Sequence, residues 1–427
     1  MHSPDTIFAV SSGAAPAAIG VIRVSGPKAG ICLETLTGRT ITPRRASLAK
    51  LMSPEGALLD EALVLWFPGP NTATGEDLAE FHCHGGRAVL SAVCDALGAM
   101  EGLRPAEQGE FTRRAFANGQ IDLAEAEGLA DLLEAETELQ RASAIANASG
   151  ALSRQIDNWR ESVLRLSAQV EAALDFSDED DVSELPEGFT WNIDKLASDL
   201  ASWLDRPRSE RLGEGYRVVL AGPPNAGKST LFNALIESEA AITSAIAGTT
   251  RDVIERSVAI SGVPFTFVDT AGLRADAGEE IEALGIERAE KELDRADLVL
   301  WLGQEGQGPD ASWEVAARSD AGNFVSKSDA RFEVSAQTGA GMSELKQALV
   351  EIARGQLPKP GEAALNTRQH DRLREAHIAV KSARDLSDLL LIGEELRRAR
   401  VAFDRLVGRA TTEDMLDALF GRFCIGK

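Results

Sequence analysis

Residues Gly222-Pro-Pro-Asn-Ala-Gly-Lys-Ser229 combine the side chains and the backbone freedom that wrap a chain of phosphates. Glycine near each end lets the main chain turn tightly, so that successive N–H groups can face an anion. The apolar run Val218-Val-Leu220 precedes the loop and a helical Lys228-Ser-Thr-Leu-Phe232 pattern follows it, which puts those N–H groups at a helix N-terminus. In that setting the stretch from Asn225, Ala226 and Gly227 to Thr230 lines the phosphates, Lys228 reaches the β- and γ-phosphates, and Ser229 ligates Mg2+. The plainer reading is a glycine-rich turn that caps a helix.

Segments further along supply what hydrolysis and base choice need. Gly248-Thr-Thr250 and then Asp269-Thr270-Ala271-Gly272, after an apolar run, come in the order of two phosphate-sensing switches. Thr250 would close on Mg2+ and the γ-phosphate, Asp269 would hold a Mg2+ water, and the Gly272 N–H would meet the γ-phosphate. Taken alone, Asp269-x-x-Gly272 is equally a tight turn after a strand. Ser326-Lys327-Ser-Asp329 follows an expected strand at Phe324-Val325, and the Asp329 carboxylate suits guanine N1–H and N2–H2. Ser335-Ala336, after a strand ending at Val334, adds a backbone N–H for guanine O6. Adenine matches neither group, which opposes an ATPase. Sites of this kind usually carry Asn where Ser326 stands, so fast nucleotide exchange is expected.

Leu273 follows Gly272, at the position where many small GTPases place a water-orienting glutamine. Oxygens of Asn225 and of Ser244-Ala245-Ile246-Ala247-Gly248-Thr249 are expected to hold a monovalent cation across the phosphates, in place of an arginine finger. Arg251 stays open between acting as a finger and bracing Asp252.

The elements that must position these residues follow from the texture of the chain, whose 427 residues suggest three domains. Short β-type runs such as Ile19-Gly-Val-Ile-Arg-Val24, with Gly- and Pro-marked turns and a few helices, make residues 1–117 a compact α+β domain. Residues 118–211 read as long helices, broken by a solvated acidic run at Ser177-Asp-Glu-Asp-Asp181. Strands and helices alternate through residues 212–355, the mark of a parallel α/β sheet. After Pro358-Lys-Pro360, residues 356–427 return to helices, so the α/β unit is expected as an insertion in one discontinuous helical domain. The fold class is therefore multidomain: α+β, discontinuous all-α, and an inserted α/β P-loop domain.

Composition narrows the partners. Lys plus Arg number 44 against 67 Asp plus Glu, and the net charge of −23 opposes non-specific attraction to nucleic acid. The four cysteines are scattered without a C-x-x-C pair, which argues against a zinc ribbon or a disulfide framework. The longest apolar stretches fall far short of a membrane span and the N-terminus carries no secretory pattern, so a cytoplasmic location is expected.

The pattern G-x-P-N-x-G-K-S, with Ile246-Ala-Gly-Thr-Thr-Arg-Asp252 and Asp269-Thr-Ala-Gly-Leu-Arg274, resembles GTPases with a hydrophobic residue after the third motif. The ends separate the families within that group. Gly20-Val-Ile-Arg-Val-Ser-Gly26, Thr74-Gly-Glu-Asp-Leu-Ala-Glu80, Gly109-Glu-Phe-Thr-Arg-Arg-Ala-Phe116, Asp122-Leu-Ala-Glu-Ala-Glu127 and Phe423-Cys-Ile-Gly-Lys427 resemble the MnmE (TrmE) family of tRNA-modification GTPases over essentially the whole chain. The resemblance implies a homodimer that works with an FAD-containing partner of the MnmG (GidA) type. Together they would install an aminomethyl-type group at carbon 5 of the tRNA wobble uridine, with one-carbon units from a reduced folate, 5-formyl- or methylene-tetrahydrofolate. By the same resemblance Arg23, Glu80 and Lys427 contact the folate, with Gln120 where the family commonly has Lys. The K+ ligands fall on Asn225, Ser244, Ile246 and Thr249, with Mg2+ on Ser229 and Thr250. The water-orienting glutamate falls on Glu282, so that Glu282, Lys228 and Thr250 form the catalytic set.

The competing class is a GTP-switched ribosome-assembly or scaffold factor without folate chemistry. Cys424 is open between a thiol for the modification chemistry and a small buried packing residue. His82 and His84 share a strand face without a third clustered ligand, so no transition metal is expected. Arg397, Arg398, Arg400, Arg405 and Arg409 fit a solvated helix face better than a tRNA contact.

Overall fold

The computed structural model describes residues 5–175, 185–237, 240–241, 254–270, 290–322, 324, 326–409 and 412–426. Two compact units divide the chain: residues 1–130 with 403–427, and residues 131–402.

In the first unit, a continuous, mostly apolar run buried on both faces builds β1 (Thr6–Val10) and alternating burial builds most of β2 (Ile19–Ser25), followed by α1 (Ala29–Thr37). Next come β3 (Ser47–Met52), β4 (Leu58–Phe67), β5 (Leu78–His84), α2 (Arg87–Gly98), β6 (Leu103–Pro105), α3 (Glu110–Ala117) and α4 (Leu123–Glu134). The six strands form one sheet in the order β3-β4-β5-β2-β1-β6. Its inner face, including Ile22, Val24, Val64 and Phe81, buries against α1 and α2 residues such as Leu33, Leu36, Val93 and Leu97. Each such side chain contributes about 1.5–3 kcal/mol when fully buried. On the opposite face Phe111 of α3 covers Ile7 and Ala9 of β1, whereas Ile19, Leu48 and Leu63 stay exposed. The chain end returns to this unit: Leu416, Phe420 and Phe423 bury against Leu123, Ala126 and Ala130 of α4.

In the second unit, α5 (Glu138–Ala148) starts from a capping box in which Thr137 and Gln140 satisfy each other's backbone donors. The elements α6 (Ala151–Asp175), α7 (Phe189–Leu204) and α8 (Glu210–Glu214) precede the sheet strands β7 (Tyr216–Ala221), β8 (Ala240–Ala241), β9 (Ile254–Ile260), β10 (Val263–Asp269), β11 (Leu298–Trp301), β12 (Trp313–Ala317) and β13 (Phe332–Val334). Helix α9 (Lys228–Glu237) follows β7, and α10 (Met342–Gln356), α11 (Thr367–Asp385) and α12 (Leu389–Leu406) follow the sheet; α13 (Glu413–Phe420) is part of the first unit. The strand order is β13-β12-β11-β7-β10-β9-β8, with β7 parallel to β10 and β11. Helix α7, before the sheet, packs along α11, after it. Asn147 of α5 donates to the Ala364 carbonyl at 3.0 Å. Helical segments on both sides of the α/β sheet therefore close on each other, and the sheet is an insertion between them.

One strand differs from the sequence reading. The strand beside β11 is Trp313–Ala317, paired in parallel with β11 and β13. Phe324 lies outside any strand and Val325 lies outside the described residues. Alternating burial of Trp313 and Val315 decides the matter, because a two-residue apolar run cannot fill a position between two strands. Among the described residues no helix is long and apolar enough to cross a membrane.

Candidate functional site

The phosphate loop runs from the end of β7 at Ala221 to the first residue of α9, Lys228. Gly222 has φ +145°, and a Cβ there would lie 2.9 Å from the Gly303 nitrogen, so the close approach of the two loops needs glycine. Asn225 adopts φ +60°, which turns the chain into the helix. Lys228 is 5% exposed, and its Nζ donates to the Gly222 and Pro223 carbonyls, each at 2.8 Å. The Ser229 Oγ donates to Asp269 Oδ2 at 2.6 Å. Asp269 ends β10 directly opposite Leu220 of β7, and Thr270 Oγ1 donates to the Leu220 carbonyl at 2.8 Å. A cavity of about 1140 Å3 opens over Gly222, Asn225, Lys228, Ser229, Thr230 and Thr270. Its floor is a helix N-terminus carrying a lysine, which suits a polyphosphate. The paired oxygens of Ser229 and Asp269 suit Mg2+, a hard cation that takes oxygen ligands and waters.

The base end departs from the sequence reading. A smaller cavity of about 280 Å3 shares Gly227, Thr230, Arg318 and Gln337 with the phosphate cavity and adds Asp320 and Ala336. Ser335 Oγ donates to Asp320 Oδ1 at 2.5 Å and accepts from the Thr338 N–H at 3.1 Å. That hydroxyl, then a backbone N–H of its own residue, hold the Asp320 carboxyl below the usual carboxylate range, and nearby Arg318 adds to the effect. Arg318, with φ +64°, lays its stem against Gly227 and donates from Nη1 to the Asn225 carbonyl at 3.3 Å. Asp329 is not in this arrangement. Glu305 accepts from the N–H groups of Ser328 and Asp329, Ser326 donates to Glu333, and Lys327 pairs with Glu314 at 2.6 Å. Ser326, Lys327 and Asp329 line another cavity, with Phe324 and Glu305, which meets the phosphate cavity at Asn225, Gln304 and Arg318. The carboxylate joined to Ser335 is Asp320, and the structure does not bring Ser326, Lys327 and Asp329 together with Ser335 and Ala336. The missed segment is Ala317-Arg318-Ser319-Asp320, directly after β12.

Of the other candidates, Ser244, Ala245, Ile246, Ala247, Gly248, Thr249, Thr250, Arg251, Ala271, Gly272, Glu282 and Lys427 lie outside the described residues. Asn225 is the one candidate K+ ligand among those described.

In the first unit, β2 and β5 set Arg23 directly across from Glu80. Arg23 donates from Nε and Nη2 to Glu80 Oε1 at 3.1 and 3.0 Å. A pterin edge presents two adjacent N–H donors beside a carbonyl, and a carboxylate next to a guanidinium matches that pattern. The donor set therefore fits the pterin of a reduced folate. Gln120 lies against Gly75, next to the turn in which Asn118 donates to the Thr74 carbonyl at 2.7 Å. The chain end is tied down beside β1: Ser11 Oγ donates to the Gly426 carbonyl at 2.8 Å, and Ile425 bridges to Gln108. Cys424 is exposed, so its packing reading is corrected, while burial pushes Cys32 and Cys83 up to about 12. His84 Nδ1 pairs with Asp60 at 2.7 Å. Arg397 and Arg398 pair with Glu394 and Glu395 on their own helix.

A strand, a glycine-bounded loop and a lysine-bearing helix N-terminus, with a carboxylate-lined base cavity adjoining, define a P-loop GTPase. Residues 6–120 match the family model described as GTP-binding protein TrmE N-terminus, and residues 123–424 match the MnmE helical domain. The chain is 61% identical to the tRNA modification GTPase MnmE of Erythrobacter litoralis over 99% of this chain and 100% of that protein. It is 60% identical to that of Novosphingobium aromaticivorans over the same shares of each chain. The G domain of the T. maritima FeoB iron transporter matches 32% of this chain and 98% of its own, at 24% identity and a TM-score of 0.24. The chain belongs to the MnmE family of tRNA modification GTPases.

Proposed function

We propose that this chain is a K+-stimulated GTPase that, with an FAD-dependent partner, installs a (carboxymethyl)aminomethyl group at carbon 5 of the tRNA wobble uridine from a folate one-carbon unit. The observation that carries the reading is the phosphate cavity, continuous through Gly227 and Thr230 with a base cavity that presents Asp320. In this reading residues 212–355 are the GTPase domain, 118–211 and 356–427 the helical domain, and 1–117 the folate-binding and dimerisation domain of a cytoplasmic homodimer.

Asp320 accepts from guanine N1–H and N2–H2, the Ala336 N–H meets O6, and the Arg318 stem supports the base plane. Lys228 leaves its two carbonyl partners for the β- and γ-phosphates, which replaces neutral acceptors with charged ones. Ser229 and Thr250 would hold Mg2+, with Asp269 bonding one of its waters, and the ion would supply positive charge to the phosphate oxygens. Asn225, Ser244, Ile246 and Thr249 hold K+, and Glu282 orients the attacking water. Arg23, Glu80, Gln120 and Lys427 hold the folate, and the tethered chain end brings Cys424 to the same unit for the modification chemistry.

Turnover of GTP by the full chain in KCl and in NaCl at equal ionic strength tests the nucleotide half of this reading. Turnover is expected to be about tenfold or more faster in KCl, a barrier difference of at least ~1.4 kcal/mol. Asn225→Ala is expected to abolish the difference. Equal rates in both salts would sink the cation-bridged site.

A further inference from the structure

We propose that His82 is a positioning residue that holds the Glu80 carboxylate in place for the pterin of a reduced folate. The inference rests on the folate reading above and concerns a residue to which that reading gives no role. On β5, Glu80 and His82 are two residues apart and so share one face of the sheet. Across the sheet Arg23 and Leu65 flank Glu80, while Val21 and Leu63 flank His82. The carboxylate is gripped at both oxygens: Oε1 accepts from Arg23, and Oε2 lies 3.2 Å from His82 Nε2. An ionised carboxylate can only accept, so His82 carries its proton on Nε2 in this contact.

The two grips differ in what a ligand does to them. Arg23 directs two of its donors, on Nε and Nη2, at one oxygen, and a pterin brings a carbonyl that competes for that guanidinium and two N–H groups that seek the carboxylate. As Arg23 turns toward the pterin carbonyl, Oε1 becomes available to a pterin N–H. The last torsion of a glutamate is broad, so a carboxylate released by Arg23 alone would be free to rotate out of plane. His82 keeps Oε2 fixed through this exchange. Val21 and Leu63, apolar residues, are the cross-strand neighbours of His82 on that face.

The test is binding of 5-formyl-tetrahydrofolate to the full chain by calorimetry, with His82→Phe and His82→Gln alongside and circular dichroism as the check on folding. Phenylalanine keeps a flat ring without the donor; glutamine restores an amide donor at similar reach. His82→Phe is expected to weaken binding about tenfold, in line with loss of a charge-assisted hydrogen bond. His82→Gln should stay within about threefold of the unmodified chain, because it still donates to Oε2. Unchanged binding by His82→Phe, or a glutamine variant as poor as the phenylalanine one, would overturn the positioning role. Failure of the unmodified chain to bind the folate would overturn the folate reading itself, and the two failures are seen in different proteins.

Discussion

Asp320→Asn will exchange GTP for xanthosine triphosphate as the preferred nucleotide. Guanine offers two donors on one edge, and an ionised carboxylate accepts both; an amide keeps one acceptor and turns a donor toward a donor. Hydrogen bonds to charged groups are worth roughly 1.5–3 kcal/mol each, so GTP should bind about 100-fold more weakly. Xanthine carries a carbonyl where guanine carries its amino group, so the new amide regains a partner there. Competition between the two nucleotides for the variant, measured against a fluorescent nucleotide analogue, reads the preference directly. The same exchange at Asp329 should leave GTP preferred, since Asp329 sits on the loop held by Glu305. A preference that moves with Asp329 and not with Asp320 would return the base site to the other cavity.

Removing the Arg114 guanidinium should loosen the first unit more than any exposed substitution. Its side chain is 6% exposed and pairs with Glu76 at 3.0 Å, where Glu76 is itself 7% exposed. It also bonds Glu110 at 2.9 Å and Asp5 at 3.0 Å. Arg104 still serves Asp5 and Glu110 when Arg114 is gone, but the Glu76 carboxylate keeps only the Ser25 hydroxyl among the described contacts. Stranding one member of a buried pair costs about 3–5 kcal/mol. Arg114→Met should therefore speed hydrogen exchange in α3 and β1 by about 100-fold or more, if the unit opens as a whole. Exchange rates within a factor of a few of the unmodified chain would show that the pair is dispensable. Acid should do part of the same work. Burial pushes the Glu110 carboxyl up, yet Arg104, the Glu107 N–H and Arg114 together hold it below the usual range. A depressed carboxyl stabilises the folded unit above the ordinary glutamate range, and that contribution is lost as pH falls through the depressed value.

The phosphate loop was legible because its chemistry is contiguous: strand, glycines, lysine and serine lie within one short run, and the fold could only assemble them one way. The inserted sheet was legible for a similar reason, since texture changes at both of its borders. Base recognition was not. Ser326-Lys327-Ser-Asp329 imitates a guanine-reading run in residue type, whereas Ala317-Arg318-Ser319-Asp320 lacks both the amide and the lysine of that pattern. What separates them is tertiary: β12 lies between β11 and β13, and Ser335 reaches Asp320. The alternating Trp313 and Val315 before Ala317 were the available signal, weakened by two alanines of low strand propensity. Arg23 and Glu80 lie 57 positions apart, and only the register of β2 on β5 brings them together.

The most direct measurement is mass spectrometry of the wobble nucleoside in tRNA incubated with this chain, the proposed FAD-dependent partner, GTP, K+, an amine donor and a reduced folate. The account predicts a C5-aminomethyl-type uridine in the complete mixture and its loss when GTP or the folate is omitted. Full modification without GTP, or with the folate left out, would contradict it.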